Sequence, residues 1–130
     1  MLDITPLKNV VLRLDEGLKR YQSDISDTQI RDGLIQRFEF TYELSHKMLK
    51  RYLESVSPTP DLFDKISFQE LIRRANEQDL LLGNWTDWRQ YREIRSRTGH
   101  TYDENIAVEV VADIPKFLTE AIYLTEKLEK

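Results

Sequence analysis

No cysteine occurs anywhere in the chain, so neither a disulfide framework nor thiolate chemistry is available. Such a composition suits a reducing cytosol, and a cytoplasmic location is the expectation. Glycine and proline number four each, which leaves few points at which a helix must break. Apolar runs as short as Leu80-Leu81-Leu82 fall far below the roughly 20 residues of a membrane-spanning helix. The opening stretch MLDITPLKNVVLRLDEG mixes acids and bases among its apolar residues, which is not the pattern of a secretory signal. Also missing are a glycine-rich phosphate loop, GxGxxG, HExxH and any Cys/His metal spacing. The two histidines, His46 and His100, would need carboxylates and a second chain to close a zinc site, so no metal is expected here. Nineteen basic residues against 23 acidic ones give a net charge of −4, which argues against a general nucleic-acid coat but leaves room for a local basic site.

What the chain does contain is charge, at 32% of residues, and apolar residues at helical spacing. At 130 residues it fits a single domain, 1–130. Five helical segments are predicted and no strand. The first opens at the cap residue Thr5 with Pro6 in its first turn, carries Leu7, Val10, Val11, Leu14, Leu18 and Tyr21 on one face, and closes at Gln22-Ser23-Asp24. Ser26-x-x-Gln29 reads as a capping box opening a long second helix, which Pro58 and Pro60 end. Phe40 and Leu44 widen its apolar surface, as in a central helix or one that also faces a partner. Ser67-x-x-Glu70 opens a shorter third helix with Phe68, Leu71, Ile72 and Ala75 inward. Asn84 caps the fourth, with Trp85, Trp88 and Tyr91 as bulky core residues, and Gly99 stops it. The last begins near Asp103-Glu104, and Pro115 is expected to kink it. The resulting fold class is all-α: an antiparallel up-and-down four-helix bundle with one extra short helix.

Chemistry concentrates between Trp88 and Glu104. Between Arg89 and Arg97, the four arginines Arg89, Arg92, Arg95 and Arg97 stand against a single acid, Glu93. Arginine presents a planar fork of donors suited to phosphate oxygens. Histidine suits proton transfer near neutral pH. Together Arg95 and His100 have the means to cleave RNA without a metal, the 2′-hydroxyl of the RNA being the nucleophile. Five residues at about 100° each place the two roughly 140° apart on an unbroken helix. Either Gly99 swings His100 back, or two copies each supply a pair across a twofold axis. The competing reading has the arginines bound to Asp87, Glu93 or Asp103 on a solvated face, with His100 as a turn donor and Tyr102 as packing. Glu39, Glu43 and Lys47 are either a polar strip beside the Arg/His site or an ordinary helix-pairing series, the latter being favoured. Arg37 is placed on the surface and His46 is assigned a structural role.

The segment Arg95-x4-His100-x-Tyr102 resembles the signature of HEPN proteins that pair with minimal nucleotidyltransferases. The stretch Gly33-Leu-Ile-Gln-Arg-Phe-Glu-Phe-Thr-Tyr-Glu-Leu-Ser-His-Lys47 is similar to the second helix of the nucleotidyltransferase substrate-binding branch of that family. The resemblance implies a homodimeric four-helix bundle in complex with a nucleotidyltransferase chain, acting as the toxin of a toxin–antitoxin pair. It implies a metal-independent endoribonuclease in which Arg95 stabilises phosphate and His100 is the acid/base. Arg92, Ser96, Glu39 and Glu43 would support the site, and the partner would place AMP on Tyr102. ATP and Mg²⁺ would then belong to the partner, with RNA as the ligand of this chain and no membrane involved. Two positions depart from the pattern: Ser96 stands where relatives commonly carry Asn, Asp or His, and His46 where they often carry tryptophan. The alternative is a non-catalytic subunit that binds substrate for the partner enzyme.

Overall fold

A computed structural model describes residues 2–129. It contains helices α1 (Thr5–Ser23), α2 (Thr28–Val56), α3 (Phe68–Glu77), α4 (Trp85–Arg97) and α5 (Glu104–Leu128), with short 3₁₀ turns at Pro60–Lys65 and Thr98–His100. Among the described residues there is no strand, and no helix is long and apolar enough to cross a membrane.

Local chemistry explains the ends of these helices. Asp27, not Ser26, caps α2: its Oδ1 accepts from the backbone N–H groups of Gln29 at 3.0 Å and Ile30 at 3.1 Å. Asp27 is the extended residue next to the first helical turn and offers a charged acceptor there. Ser26 instead donates to Asp24 at 2.6 Å. The start of α1 is likewise capped from one step further out, with Asp3 Oδ1 accepting from Thr5 N–H at 3.0 Å. Asn84 and Asp87 form the complete reciprocal capping box of α4, and Ser67 Oγ accepts from Glu70 N–H at 3.1 Å to open α3. Pro115 is exposed and does not terminate α5, although its ring leaves the Val111 carbonyl without a helical partner.

Residues 24–27 turn α1 back on α2, and these two helices pack against each other and against α5. Helix α4 lies on α5 and also touches α2, while short α3 fits against α2 and α4. The four long helices are the expected bundle and α3 is its extra element. Prolines 58 and 60 do more than end α2: the 3₁₀ turn that follows buries Phe63, a contact that helical periodicity does not reveal. The bundle centre is aromatic. Phe38 meets Phe117 edge-on at 5.1 Å, Trp88 meets Tyr91 at 5.3 Å, and Tyr91 meets Phe117 at 5.2 Å. Trp88 and Tyr91 are core as expected, whereas Trp85 and Phe68 are half-buried and keep an edge in solvent.

A carboxylate lies inside this core. Glu120 is 2% exposed. Its Oε2 accepts from Leu82 N–H at 2.7 Å, and its Oε1 accepts from Gly83 N–H at 2.6 Å and from the Trp88 indole N–H at 3.0 Å. Burial pushes the carboxyl up, and the three donors offset that in part. Gly83 is required for this approach, because a Cβ there would lie 2.8 Å from Glu120 Oε1 and 2.8 Å from Asp87 Cβ.

Candidate functional site

Arg95 lies in the last turn of α4 with its guanidinium turned toward α2. Nη1 donates to Thr98 Oγ1 at 2.9 Å and lies 3.4 Å from Glu39 Oε2, and Nη2 donates to Glu43 Oε1. Glu39 and Glu43 stand one turn apart on α2, so two carboxylates and one hydroxyl hold a single fork. This overturns the favoured reading of Glu39, Glu43 and Lys47 as a helix-pairing series. Tertiary packing brings Arg95 closer to the glutamates than their own helix brings Lys47. Arg95 Nε is buried without a hydrogen-bond partner. Arg37 is half-buried rather than a free surface residue, because its Nη1 donates to the Arg13 carbonyl at 2.7 Å.

The helix stops at Arg97, and the turn Thr98–His100 carries His100 out to solvent. There His100 Nδ1 lies 3.5 Å from the Tyr102 hydroxyl, at the outer limit of a hydrogen bond. Tyr102 is 87% exposed, so it is not part of the packed core of this chain. Among the described residues no hydrogen bond or ion pair joins Arg95 to His100: one faces α2, the other solvent. Ser96 Oγ donates to the Glu93 carbonyl at 2.6 Å within its own helix and orients nothing in the site. Arg97 pairs with Glu109 and, at 3.6 Å, with Glu93. The pairing of arginines with Asp87 or Asp103 does not occur, since Asp87 holds Lys116 at 2.7 Å and Asp103 caps α5.

The connection that bears His100 and Tyr102 is anchored at its far end by an ion pair that the sequence does not advertise. Arg31, 8% exposed on α2, donates through Nη1 to Glu104 Oε1 at 2.6 Å and through Nη2 to Oε2 at 3.1 Å. The guanidinium holds the Glu104 carboxyl below the usual carboxylate range. Only an arginine at an inward-facing helix position hints at such a pair before the fold is known.

His46 packs its ring 4.7 Å from Phe68 and is half-buried, which agrees with a structural role. Burial, then the charges of Lys50 and Arg92, push its imidazole below the ordinary value. In the window between that lowered value and the ordinary one near 6.5, the unfolded chain binds a proton that the folded chain refuses. Stability therefore rises with pH across that window. The melting temperature of His46→Phe is expected to vary less than wild type between about pH 5 and 7. Parallel curves for the two proteins would remove His46 as a source of the slope.

Among the described residues no group of three His, Asp or Glu side chains is placed to hold a metal ion. The arrangement offers an arginine already committed to carboxylates, and an exposed imidazole beside an exposed phenol.

The profile of the family described as "Nucleotidyltransferase substrate binding protein like" matches residues 2–130. The Haemophilus influenzae protein named "Probable ribonuclease HepT" is 41% identical over 108 residues, spanning 83% of this chain and 73% of that protein. The solved structure of the H. influenzae protein HI0074, described as revealing the fold of a substrate binding domain of a nucleotidyltransferase, superposes with a TM-score of 0.91. It is 33% identical, and the match covers 98% of this chain and 100% of that one. With its helix order, its second-helix segment and its Arg95–His100–Tyr102 spacing now placed on one fold, the chain belongs to the nucleotidyltransferase substrate binding protein-like family.

Proposed function

We propose that this chain is the helical subunit of a pair with a separate minimal nucleotidyltransferase, and that it is a metal-independent endoribonuclease which the partner silences at Tyr102. The observation that carries this reading is the exposed placement of His100 beside Tyr102, 3.5 Å apart, directly after the helix whose last turn carries Arg95. The name of the H. influenzae relative supports the same chemistry.

In the reaction, His100 takes the proton of an RNA 2′-hydroxyl as that oxygen attacks the adjacent phosphorus. The P–O5′ bond breaks, and the imidazolium returns its proton to the leaving 5′-oxygen. The products are a 2′,3′-cyclic phosphate and a 5′-hydroxyl strand. Arg95 stabilises the charge on the non-bridging oxygens by exchanging Glu39 and Glu43 for phosphate. Because Arg95 and His100 face different ways within one copy, the reading includes a homodimer in which two copies supply the pair. Silencing follows from adjacency. The Tyr102 hydroxyl attacks the α-phosphorus of ATP supplied by the partner, its proton passes to solvent, pyrophosphate leaves, and the new phosphodiester occupies the position next to His100.

Expression of the chain alone is expected to degrade RNA and arrest growth, and co-expression with a partner minimal nucleotidyltransferase to reverse both while adding AMP mass to Tyr102. Tyr102→Phe is expected to keep the cleavage but escape the reversal. Intact RNA and normal growth with the wild-type chain alone would sink the ribonuclease. A second reading then takes over, a non-catalytic substrate-binding subunit. It is favoured by the pairing of Arg95 with two carboxylates and by the hydrogen bond that Ser96 makes within its own helix. Its signature is co-purification with the nucleotidyltransferase while RNA stays whole.

A further inference from the structure

Next to Arg95, where α2, α3 and α4 meet, lies a second group of side chains that the proposed chemistry does not use. Arg92 is exposed and stands one helical turn before Arg95. Its Cζ lies 5.5 Å from the centre of the Phe68 ring. The Phe68 ring in turn lies 4.7 Å from His46 and 5.6 Å from Trp85. All three rings are only partly buried, so each keeps an edge toward solvent. Lys50 stands one turn beyond His46 on α2, and the charges of Lys50 and Arg92 both reach that imidazole.

Several carboxylates of these helices hold other cations, and Glu54, one turn beyond Lys50 on α2, lies outside pairing distance of it. Glu43 holds Arg95, Glu70 holds Arg73 and Arg74, and Asp87 holds Lys116. Among the described residues neither Arg92 nor Lys50 has a carboxylate partner. An acidic protein therefore leaves two cations uncompensated at one place, beside aromatic edges and continuous with Arg95. An acidic peptide would use the cations but leave the rings idle. A single nucleic-acid strand uses both, with its phosphates on arginine and lysine and its bases against aromatic side chains.

We infer that the RNA strand flanking the cleaved bond lies across this α2–α3–α4 surface, with a phosphate held by Arg92 and Lys50 and a base against the His46–Phe68–Trp85 edge. The inference rests on the ribonuclease reading for the identity of its substrate. In this arrangement Arg95 serves the reacting phosphate and Arg92 a neighbouring one, so Arg92 is a binding residue rather than a catalytic one.

The test uses the full chain and a fluorescent single-stranded oligonucleotide that is fully 2′-O-methylated and so cannot be cleaved. Affinity is read by anisotropy across a range of salt. Arg92→Gln, an exposed change whose fold is checked by its melting curve, is expected to weaken binding roughly tenfold at low salt. It is also expected to reduce the slope of log affinity against log salt by about 0.7, the value for one phosphate contact on a single strand. Lys50→Gln is expected to act in the same direction. Unchanged affinity and slope in both variants overturn the inference, as does failure of the wild-type chain to bind the strand. So does loss of nucleotidyltransferase capture by Arg92→Gln while RNA binding is retained, which would make this surface a protein interface. Cleavage of unmodified RNA is measured separately. A chain that binds the strand through Arg92 but cleaves nothing loses the ribonuclease and keeps the subsite. A chain that cleaves RNA with Arg92 and Lys50 both irrelevant keeps the ribonuclease and loses the subsite.

Discussion

His100→Ala is expected to lower the rate of RNA cleavage by about 10²- to 10⁴-fold, the usual contribution of a positioned general acid/base. The side chain is exposed and makes one weak contact, to Tyr102, so its removal leaves the bundle intact and the loss reads on chemistry alone. Arg95→Ala is expected to reduce cleavage as well, with a different signature. Each charge-assisted hydrogen bond to phosphate contributes about 1.5–3 kcal/mol, and the bonds tighten as charge builds on the phosphate, so kcat falls more than KM rises. Arg95→Lys retains the charge but not the fork that spans Thr98, Glu39 and Glu43, and is expected to recover only part of the rate. Initial rates on a labelled RNA separate these cases. A His100→Ala protein that cuts at the wild-type rate removes His100 from the mechanism, whatever happens at Arg95.

The largest stability effect belongs to a residue far from that chemistry. Glu120→Ala is expected to destabilise the protein by about 3–5 kcal/mol, since it strands two backbone N–H groups and the indole N–H of fully buried Trp88. Against a total stability of about 5–15 kcal/mol, that is a large fraction. The melting temperature should fall by about 15 °C. Glu120→Gln keeps the shape but turns an amide N–H₂ toward one of the three donors, and is expected to cost about 2–3 kcal/mol. Urea denaturation distinguishes the two: ordering Ala below Gln below wild type supports the buried acceptor. A Glu120→Ala protein as stable as wild type would show that water or a rearranged 78–84 connection satisfies the donors instead.

Much of this fold was legible along the chain because its signals are local. Asn84 with Asp87, Ser67 ahead of Glu70, and Asp103 before α5 act within four residues of the backbone groups they satisfy. The apolar spacing that buries Leu7, Leu14, Leu34, Phe38, Trp88 and Phe117 is set by the helical period. The local signals that misled were near-ties: Ser26 and Asp27 are adjacent and both can cap, and the charged acceptor at the extended position won.

The partners of Arg95, Arg31 and Glu120 were illegible for a physical reason. Glu43 stands 52 residues from Arg95, Glu104 stands 73 from Arg31, and Leu82 stands 38 from Glu120. No helical period links such positions. A charged residue reads the same in sequence whether it faces water or another helix. Its role depends on which helix packs against it, a choice made by the summed burial of the aromatic core and not by the charged residue itself. The sequence alone thus determined the helices, their caps, the core face and the Arg95–His100–Tyr102 spacing, because each depends on neighbours within about one or two turns. Tertiary structure alone decided that Arg95 is held by α2, that His100 and Tyr102 stand together in solvent, and that Arg92 keeps an unmatched charge. Those outcomes depend on distances between segments that only the packed bundle brings near one another.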